Sequence, residues 1–139
     1  MKNKKIGWFV VAVLLCLVAY GAMYPENFGI FGICSANDYS CVESFAYKLG
    51  EPLFFISLGL LISVVALFFA NEAILKLWQK ITIIYFLVAL LITTLLPITC
   101  HGWFCFEKEN TAQLLGGGLF LITLILIISK KLKSKSGQN

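Results

Sequence analysis

Four long apolar runs constrain this chain more than any other feature of its sequence. Each run has about 16 to 18 residues, and together they cover about residues 6–23, 53–70, 81–98 and 114–129. A helix needs about 20 apolar residues, with a lower limit near 17, to cross a hydrocarbon core of about 30 Å. The chain is 60% hydrophobic over 139 residues, which exceeds what a small soluble domain can bury. We therefore predict an all-α membrane protein with four transmembrane helices in a single integral membrane domain, residues 1–139.

The distribution of charge predicts how these helices are oriented. All eleven basic residues are lysines, and only Lys48 and Lys108 lie outside the N-terminus, the middle connection and the C-terminal tail. The acidic residues show the opposite distribution, since only Glu72 lies in those three segments. Short segments rich in lysine remain in the cytoplasm. We predict a cytoplasmic N-terminus, a cytoplasmic 71–80 loop and 130–139 tail, and external loops at about 24–51 and 97–113.

The same composition bears on compartment and partners. Lysine without arginine is typical of an AT-rich bacterial genome, which favours the inner (cytoplasmic) membrane. The net charge of +4 is explained by the lysine-rich cytoplasmic segments, so we predict no nucleic-acid partner. A cleavable signal peptide is the alternative interpretation of the first run. The apolar run through Met23 and the repeat described next favour a retained helix instead.

The second half of the chain repeats the first. Residues 46–63 (AYKLGEPLFFISLGLLIS) and residues 112–129 (AQLLGGGLFLITLILIIS) match at about ten of eighteen positions, with a constant offset of 66. This indicates two tandem helical hairpins in the same orientation, the parallel class of internal repeat. The fold predicted is an up-down-up-down four-helix bundle. Convergence between similar lipid-facing helices is the alternative explanation.

Several local features carry predictions of their own. The apolar spacing after Cys41 predicts a short helix on the membrane surface, and Pro52 is expected in the first turn of the second span. Trp78 is expected to anchor the inner interfacial turn. Hydroxyl groups within the spans are expected to bond carbonyls of their own helix, at Ser57, Ser63, Thr93, Thr94 and Thr123.

Four of the five cysteines fall in the two external loops, as two close pairs. On the oxidising face of a membrane, an even number of cysteines favours disulfides. Proximity favours Cys34–Cys41 and Cys100–Cys105, although three connectivities exist. A duplicated hairpin would also carry a duplicated disulfide. Cys16, in the first span, is expected to be a buried apolar thiol.

The layout of four spans and one cysteine pair in each external loop resembles the disulfide-bond formation protein B family. That resemblance implies a thiol-disulfide oxidoreductase that passes electrons from a periplasmic partner, through both cysteine pairs, to a quinone. The family has Cys-x-x-Cys in the first loop, where this chain has CSANDYSC. The vitamin K epoxide reductase family has a widely spaced first pair, but its second pair is Cys-x-x-Cys, unlike CHGWFC here.

Other chemistry lacks the residues it needs. Cys100, His101 and Cys105 could contribute to a metal site, but their spacing matches no common zinc pattern, so no metal or other cofactor is predicted. No Asp, Glu, Lys or His lies within the four spans, whereas ion and proton pathways require such groups. We therefore expect a non-enzymatic accessory or partner-binding subunit, with interaction candidates at His101, Trp103 and Phe104. Its partners would be lipid and another membrane protein or a second copy, and quinone enters only under the oxidoreductase alternative.

Overall fold

Backbone polar groups cannot be left unpaired in lipid, which makes helices the natural form for apolar runs of this length. The computed structural model describes residues 2–24, 34, 38–96 and 107–136, and the regular structure within them is entirely helical. The helices are α1 (Lys2–Met23), α2 (Tyr39–Phe45), a π-helical segment (Ala46–Gly50), α3 (Glu51–Leu67), α4 (Glu72–Leu95) and α5 (Lys108–Ser136).

Four of the helical stretches are long and apolar enough to cross a membrane, which confirms that part of the prediction. They are Lys4–Met23, Tyr39–Leu67, Glu72–Leu95 and Lys108–Lys131. Their lengths of 20 to 29 residues reach or exceed the roughly 20 needed for a span. The structure thus supports a multi-pass membrane protein.

Residues 72–80, predicted within a loop, are helical because α4 already begins at Glu72. The connection from α3 is a short turn in which the amides of Phe68, Phe69 and Ala70 bond carbonyls three residues earlier. Trp78 consequently lies well inside α4 and is 0% exposed, so it is a core residue and not the interfacial anchor that was expected.

The short helix predicted after Cys41 exists, but it leads directly into the second long helix. Asp38 caps the N-terminus of α2, and backbone in the helical region continues through Phe45, Gly50 and Glu51 into α3. In the π-helical segment the amide of Glu51 donates to the carbonyl of Ala46. Pro52 lies in the first turn of α3, directly after the wider π-helical turn. Proline lacks a backbone N–H, and in the first turn that group is not needed for a helical hydrogen bond. Residues 39–67 therefore form one helical column.

The two helices at the centre, α3 and α5, touch through glycine. A Cβ atom added to Gly59 would overlap the backbone of Gly116, and one added to Gly116 would overlap the carbonyl oxygen of Phe55. Small residues allow this approach in membrane helices, where packing supplies much of the association. The buried apolar cluster around this pair contains residues of all four long helices, including Ala12, Leu60, Trp78 and Leu119.

Helix α1 lies against α3 along its length. At one end, a Cβ added to Gly50 would come within 2.6 Å of the Met23 backbone nitrogen. At the other end, Lys5 Nζ donates to the carbonyl of Phe68 at 3.2 Å and to that of Ala70 at 2.5 Å. We call these the disulfide end (around Cys41, Gly50 and Met23) and the turn end (Phe68–Asn71).

Helix α4 lies against α5 through the polar tips of two aromatic residues. Trp78 Nε1 donates to Thr123 Oγ1 at 2.8 Å, and Tyr85 Oη donates to the Leu115 carbonyl at 2.7 Å. Trp78 also meets Trp8 of α1 edge to face, with ring centroids 5.6 Å apart. These contacts let the indole be buried and the phenol be partly buried with their polar atoms satisfied.

Candidate functional site

The candidate site is the disulfide-closed segment at the start of the continuous helix formed by residues 39–67. Cys34 and Cys41 are bonded, with an S–S distance of 2.01 Å and a Cα–Cα distance of 5.8 Å. The bridge closes a loop of seven residues in sequence separation and ties it to the first turn of α2. On the chain-entropy estimate, a loop this short contributes about 2–2.5 kcal/mol.

Asp38 organises the end of this loop. Its Oδ1 accepts from Ser40 Oγ at 2.8 Å and from the Cys41 amide at 3.1 Å. The first bond, and then the second, lower the pKa of the Asp38 carboxyl from its ordinary value. A side chain that accepts an amide of the first turn is the usual helix N-cap, and negative charge there is favourable. The carboxylate therefore fixes the position at which Cys41 enters the helix.

The position of Cys41 has chemical consequences. A helix N-terminus carries partial positive charge, which stabilises a thiolate and so favours thiol-disulfide exchange. The Asp38 carboxylate lies at the same turn and bonds the Cys41 amide, so its negative charge opposes a thiolate there. The local electrostatics therefore favour the bonded state over an activated thiol.

Charged residues of α5 and of the continuous helix 39–67 lie near one another at the disulfide end. Like charges interact in two pairs, Lys48 with Lys108 and Glu51 with Glu109. Because both signs are present in equal number, these four residues provide no net charge to attract an ion. In the described part of the chain, no group of three or more His, Cys, Asp or Glu residues is placed to hold a metal ion.

The second sequence-predicted cluster lies outside the described residues. This applies to the predicted Cys100–Cys105 pair, the metal alternative built on it, and the interaction candidates His101, Trp103 and Phe104. These assignments stay predictions. Cys16, expected to be a buried thiol, is a free cysteine that is half-buried on α1.

The hydroxyl groups within the predicted spans behave mostly as expected. Ser63, Thr93, Thr94 and Thr123 each donate to a carbonyl three or four residues earlier on their own helix. Ser57 does not follow this pattern, because its Oγ is buried without a hydrogen-bond partner, and the same is true of Thr82 Oγ1. Thr82 received no assignment from the sequence, since an isolated threonine at the start of an apolar run carries no signal of its own.

Comparisons with protein-family models, with curated proteins and with solved structures gave no match to this chain.

Proposed function

We propose that this chain is a small, non-enzymatic membrane subunit that crosses the bilayer four times and binds another membrane protein through disulfide-clamped external loops. In this proposal both termini and the α3–α4 turn face the cytoplasm of a bacterial cell, and the disulfide end faces outward. The lysine distribution supports that orientation.

Contacts at the two ends of the helices support the up-down-up-down course. The start of α1 meets the end of α3 through Lys5, and the start of α3 meets the end of α1 through Gly50. Between α4 and α5 the contacts run in opposite chain directions, since Trp78 bonds Thr123 whereas Tyr85, further along α4, bonds Leu115, which is earlier in α5. The sequence match between 46–63 and 112–129 supports two tandem parallel hairpins.

The observation that carries the non-enzymatic, non-transporting assignment is the composition of the interior. Among the described residues, the charged side chains that are buried are Lys5 and Lys108, and each lies at an end of the bundle. The buried hydroxyl groups between them are few, and most bond their own helix. Ion and proton pathways need titratable or charged groups at membrane depth. This interior favours a role carried by surfaces.

The external surface is the part that would meet a partner. Tyr39 follows the Asp38 cap on the disulfide-closed segment and is 81% exposed. Tyrosine is one of the residue types enriched among interface hot spots. Trp103, Phe104 and His101, predicted in the other external loop, remain interaction candidates from the sequence.

Site-specific photocrosslinking in native membranes tests this proposal. A benzophenone amino acid replaces Tyr39 or Trp103, and the matched control replaces Leu87, an exposed apolar residue of α4. We expect discrete protein adducts of fixed mass from positions 39 and 103, and lipid adducts alone from position 87. Lipid adducts alone from all three positions would contradict a partner-binding role.

A quinone-linked thiol-disulfide oxidoreductase is the second candidate, supported by the bonded Cys34–Cys41 pair together with the second close pair in the sequence, Cys100 and Cys105. In that reaction a reduced Cys34/Cys41 pair gives two electrons and two protons to a quinone, which forms the disulfide and releases quinol. The two functions therefore differ in whether this pair cycles in the membrane.

A further inference from the structure

Four charged residues lie together at the disulfide end, just outside the apolar parts of α3 and α5. They are Lys48 of the π-helical segment, Glu51 of α3, and Lys108 and Glu109 of α5. The apolar runs begin at about residues 53 and 114, so these residues lie just beyond the part that hydrocarbon would surround. In a protein that spans the bilayer, this is the level of the lipid headgroups.

The contact between Gly59 and Gly116 places the two carboxylates at nearly the same height. Glu51 lies eight residues before Gly59, and Glu109 lies seven residues before Gly116. At about 1.5 Å per residue, these intervals are about 12 Å and about 10 Å along the two helices. The electrostatic interaction between Glu51 and Glu109 shows that both intervals run toward the same end. Lys108 interacts there with Lys48.

The four charges are sorted by sign, with like next to like. Lys108 interacts with the Lys48 ammonium, and Glu51 interacts with the Glu109 carboxylate. In the part of the chain that the structure describes, none of the four forms an ion pair with an opposite charge. Two like charges repel each other, and a group of the opposite sign between them is attracted by both. This end therefore offers one place for an anion and a separate place for a cation.

The Lys108 side chain is unusual for a lysine because it is only 6% exposed. Among the described residues, no acceptor bonds its ammonium, and burial of an unpaired charge is unfavourable. The fully enclosed unpaired polar atoms of the described residues are Ser57 Oγ and Thr82 Oγ1, so Lys108 Nζ can still be reached from outside. An anion that contacts this ammonium would remove the cost of burying it unpaired.

We propose that these four residues bind the headgroup of one zwitterionic phospholipid, with its phosphate between Lys48 and Lys108 and its primary ammonium between Glu51 and Glu109. The lysine ammonium groups donate to phosphate oxygens, and the carboxylates accept from the lipid ammonium. Gln113 Nε2 already donates to Glu109 Oε1 at 3.1 Å and holds that carboxylate in place. The acyl chains of the lipid lie beside the apolar parts of α3 and α5.

Phosphatidylethanolamine is the phospholipid that meets these requirements. Its ammonium carries N–H donors for the carboxylates, whereas the quaternary ammonium of phosphatidylcholine carries none. Phosphatidylglycerol offers the phosphate without a cation, which would leave Glu51 and Glu109 unpaired. Glu107, directly before α5, adds a further negative charge, so the overall charge of this end does not favour an anionic lipid.

Native mass spectrometry of the full chain, released from detergent micelles, tests the proposal. The micelles contain equal amounts of the three phospholipids with the same acyl chains, and EDTA prevents a divalent cation from bridging carboxylate and phosphate. We expect one phosphatidylethanolamine per chain, retained about ten-fold more often than either other lipid. That ratio is what about one charge-assisted hydrogen bond provides.

Variants at the two pairs should change lipid retention in different ways. Glu51→Gln should remove most of the preference for phosphatidylethanolamine over phosphatidylcholine and leave the retention of phosphatidylcholine unchanged. Lys108→Gln should lower the retention of all three lipids, because each carries the phosphate, and Lys108→Arg should restore it. The matched controls Glu72→Gln and Lys76→Gln, early in α4 and outside this cluster, should leave all ratios as in the wild type.

Equal retention of the three lipids by the wild type would overturn the proposal. An excess of phosphatidylglycerol would overturn it as well, since the lysines would then act without the carboxylates. A preference that persists in Glu51→Gln, or that falls equally in the controls at the start of α4, would place the selectivity elsewhere and contradict this site.

Discussion

The first pair of helices, α1 and α3, and the second pair, α4 and α5, are held together by different chemistry. In the first pair the polar link is at one end, where the Lys5 ammonium bonds two carbonyl groups that follow α3. In the second pair the links lie along the helices, where Trp78 and Tyr85 donate as neutral groups. A charge is tolerated at the bundle end near water, whereas the links deeper in the bundle are neutral, as the cost of burying charge requires.

Two glycines that are 66 residues apart, in the similar segments 46–63 and 112–129, also contact different helices. Gly50 corresponds to Gly116 at the offset of 66, but Gly50 packs on the end of α1 and Gly116 packs on α3. A glycine at each position thus allows a close helix contact. It does not determine which helix makes that contact. Substitutions at these positions separate the two roles.

The largest effect is expected from Gly59→Ala, which acts between the two pairs. The added Cβ would overlap backbone atoms of Gly116, which cannot move aside as a side chain can, so we expect a loss of about 3 kcal/mol in the free energy of unfolding. Gly50→Ala, which acts within the first pair, should cost a similar amount. Titration with SDS in mixed micelles measures both.

Gly117→Ala is the matched control, since a Cβ at Gly117 would meet nothing within 4 Å. It should stabilise α5 by about 0.5–1 kcal/mol, because glycine is unfavourable in a helix interior. An equal change in the free energy of unfolding for the three variants would contradict the close contact between α3 and α5.

Lys5→Met should have the next largest effect. It keeps the apolar stem but removes the donor from the carbonyl groups of Phe68 and Ala70, and hydrogen bonds from charged donors contribute about 1.5–3 kcal/mol. Lys4→Met, one residue earlier and exposed, should change stability little. The same titration compares the two variants. An equal change in the free energy of unfolding would show that the Lys5 hydrogen bonds do not contribute to stability.

Ser57→Ala should stabilise the protein by about 1 kcal/mol, because it removes a buried hydroxyl that has no partner. Ser63→Ala is a control on the same helix, where the hydroxyl bonds the Gly59 carbonyl. We expect that variant to be neutral or slightly destabilising, near the average of about 0.6 kcal/mol for hydrogen bonds in membrane proteins. Destabilisation by Ser57→Ala would indicate a partner for that hydroxyl.

Tyr85→Phe tests the neutral links of the second pair. It removes the bond to the Leu115 carbonyl, and the expected loss is about 0.6 kcal/mol, smaller than for Lys5→Met. Tyr47→Phe, at an exposed tyrosine, should be neutral. Reversal of the order between Tyr85 and Lys5 would contradict the comparison between the two helix pairs.

The smallest effect is expected at Asp38, and it depends on pH. Hydrogen bonds from Ser40 and then from the Cys41 amide hold the pKa of this carboxyl below its ordinary value of 3.8. Its stabilisation is therefore full above that value and is lost as the pH falls through the lowered pKa of the folded state. The stability difference between the wild type and Asp38→Ala should shrink on acidification, and a constant difference would show that the carboxylate charge is not involved.

Much of the fold can be predicted from the sequence because it depends on the length and spacing of apolar residues within single segments. Apolar length predicts the four long helices, and the spacing after Cys41 predicts the helix there. The hydroxyl bonds of Ser63 and Thr93 were expected because each needs only its own helix. Features of this kind require no knowledge of the neighbouring element.

Several of the features that sequence reasoning missed depend on the neighbouring helix. The sequence around Trp78 predicts an interfacial anchor, whereas the structure shows it packed against Trp8 and bonded to Thr123. Lys5 resembles any lysine before a span, and Thr82 any threonine within one. At the candidate site, the close spacing favoured Cys34–Cys41, whereas the Asp38 cap and the continuation of the helix into α3 needed the structure.

The most direct test of the proposed function is thiol trapping in intact membranes with a maleimide mass tag, before and after mild reductant and then quinone. A static clamp in a binding protein predicts that Cys34 and Cys41 remain blocked until strong reduction and that quinone changes nothing. Ready opening of the pair by mild reductant, followed by re-oxidation by quinone, would contradict that role and assign the protein to thiol-disulfide exchange.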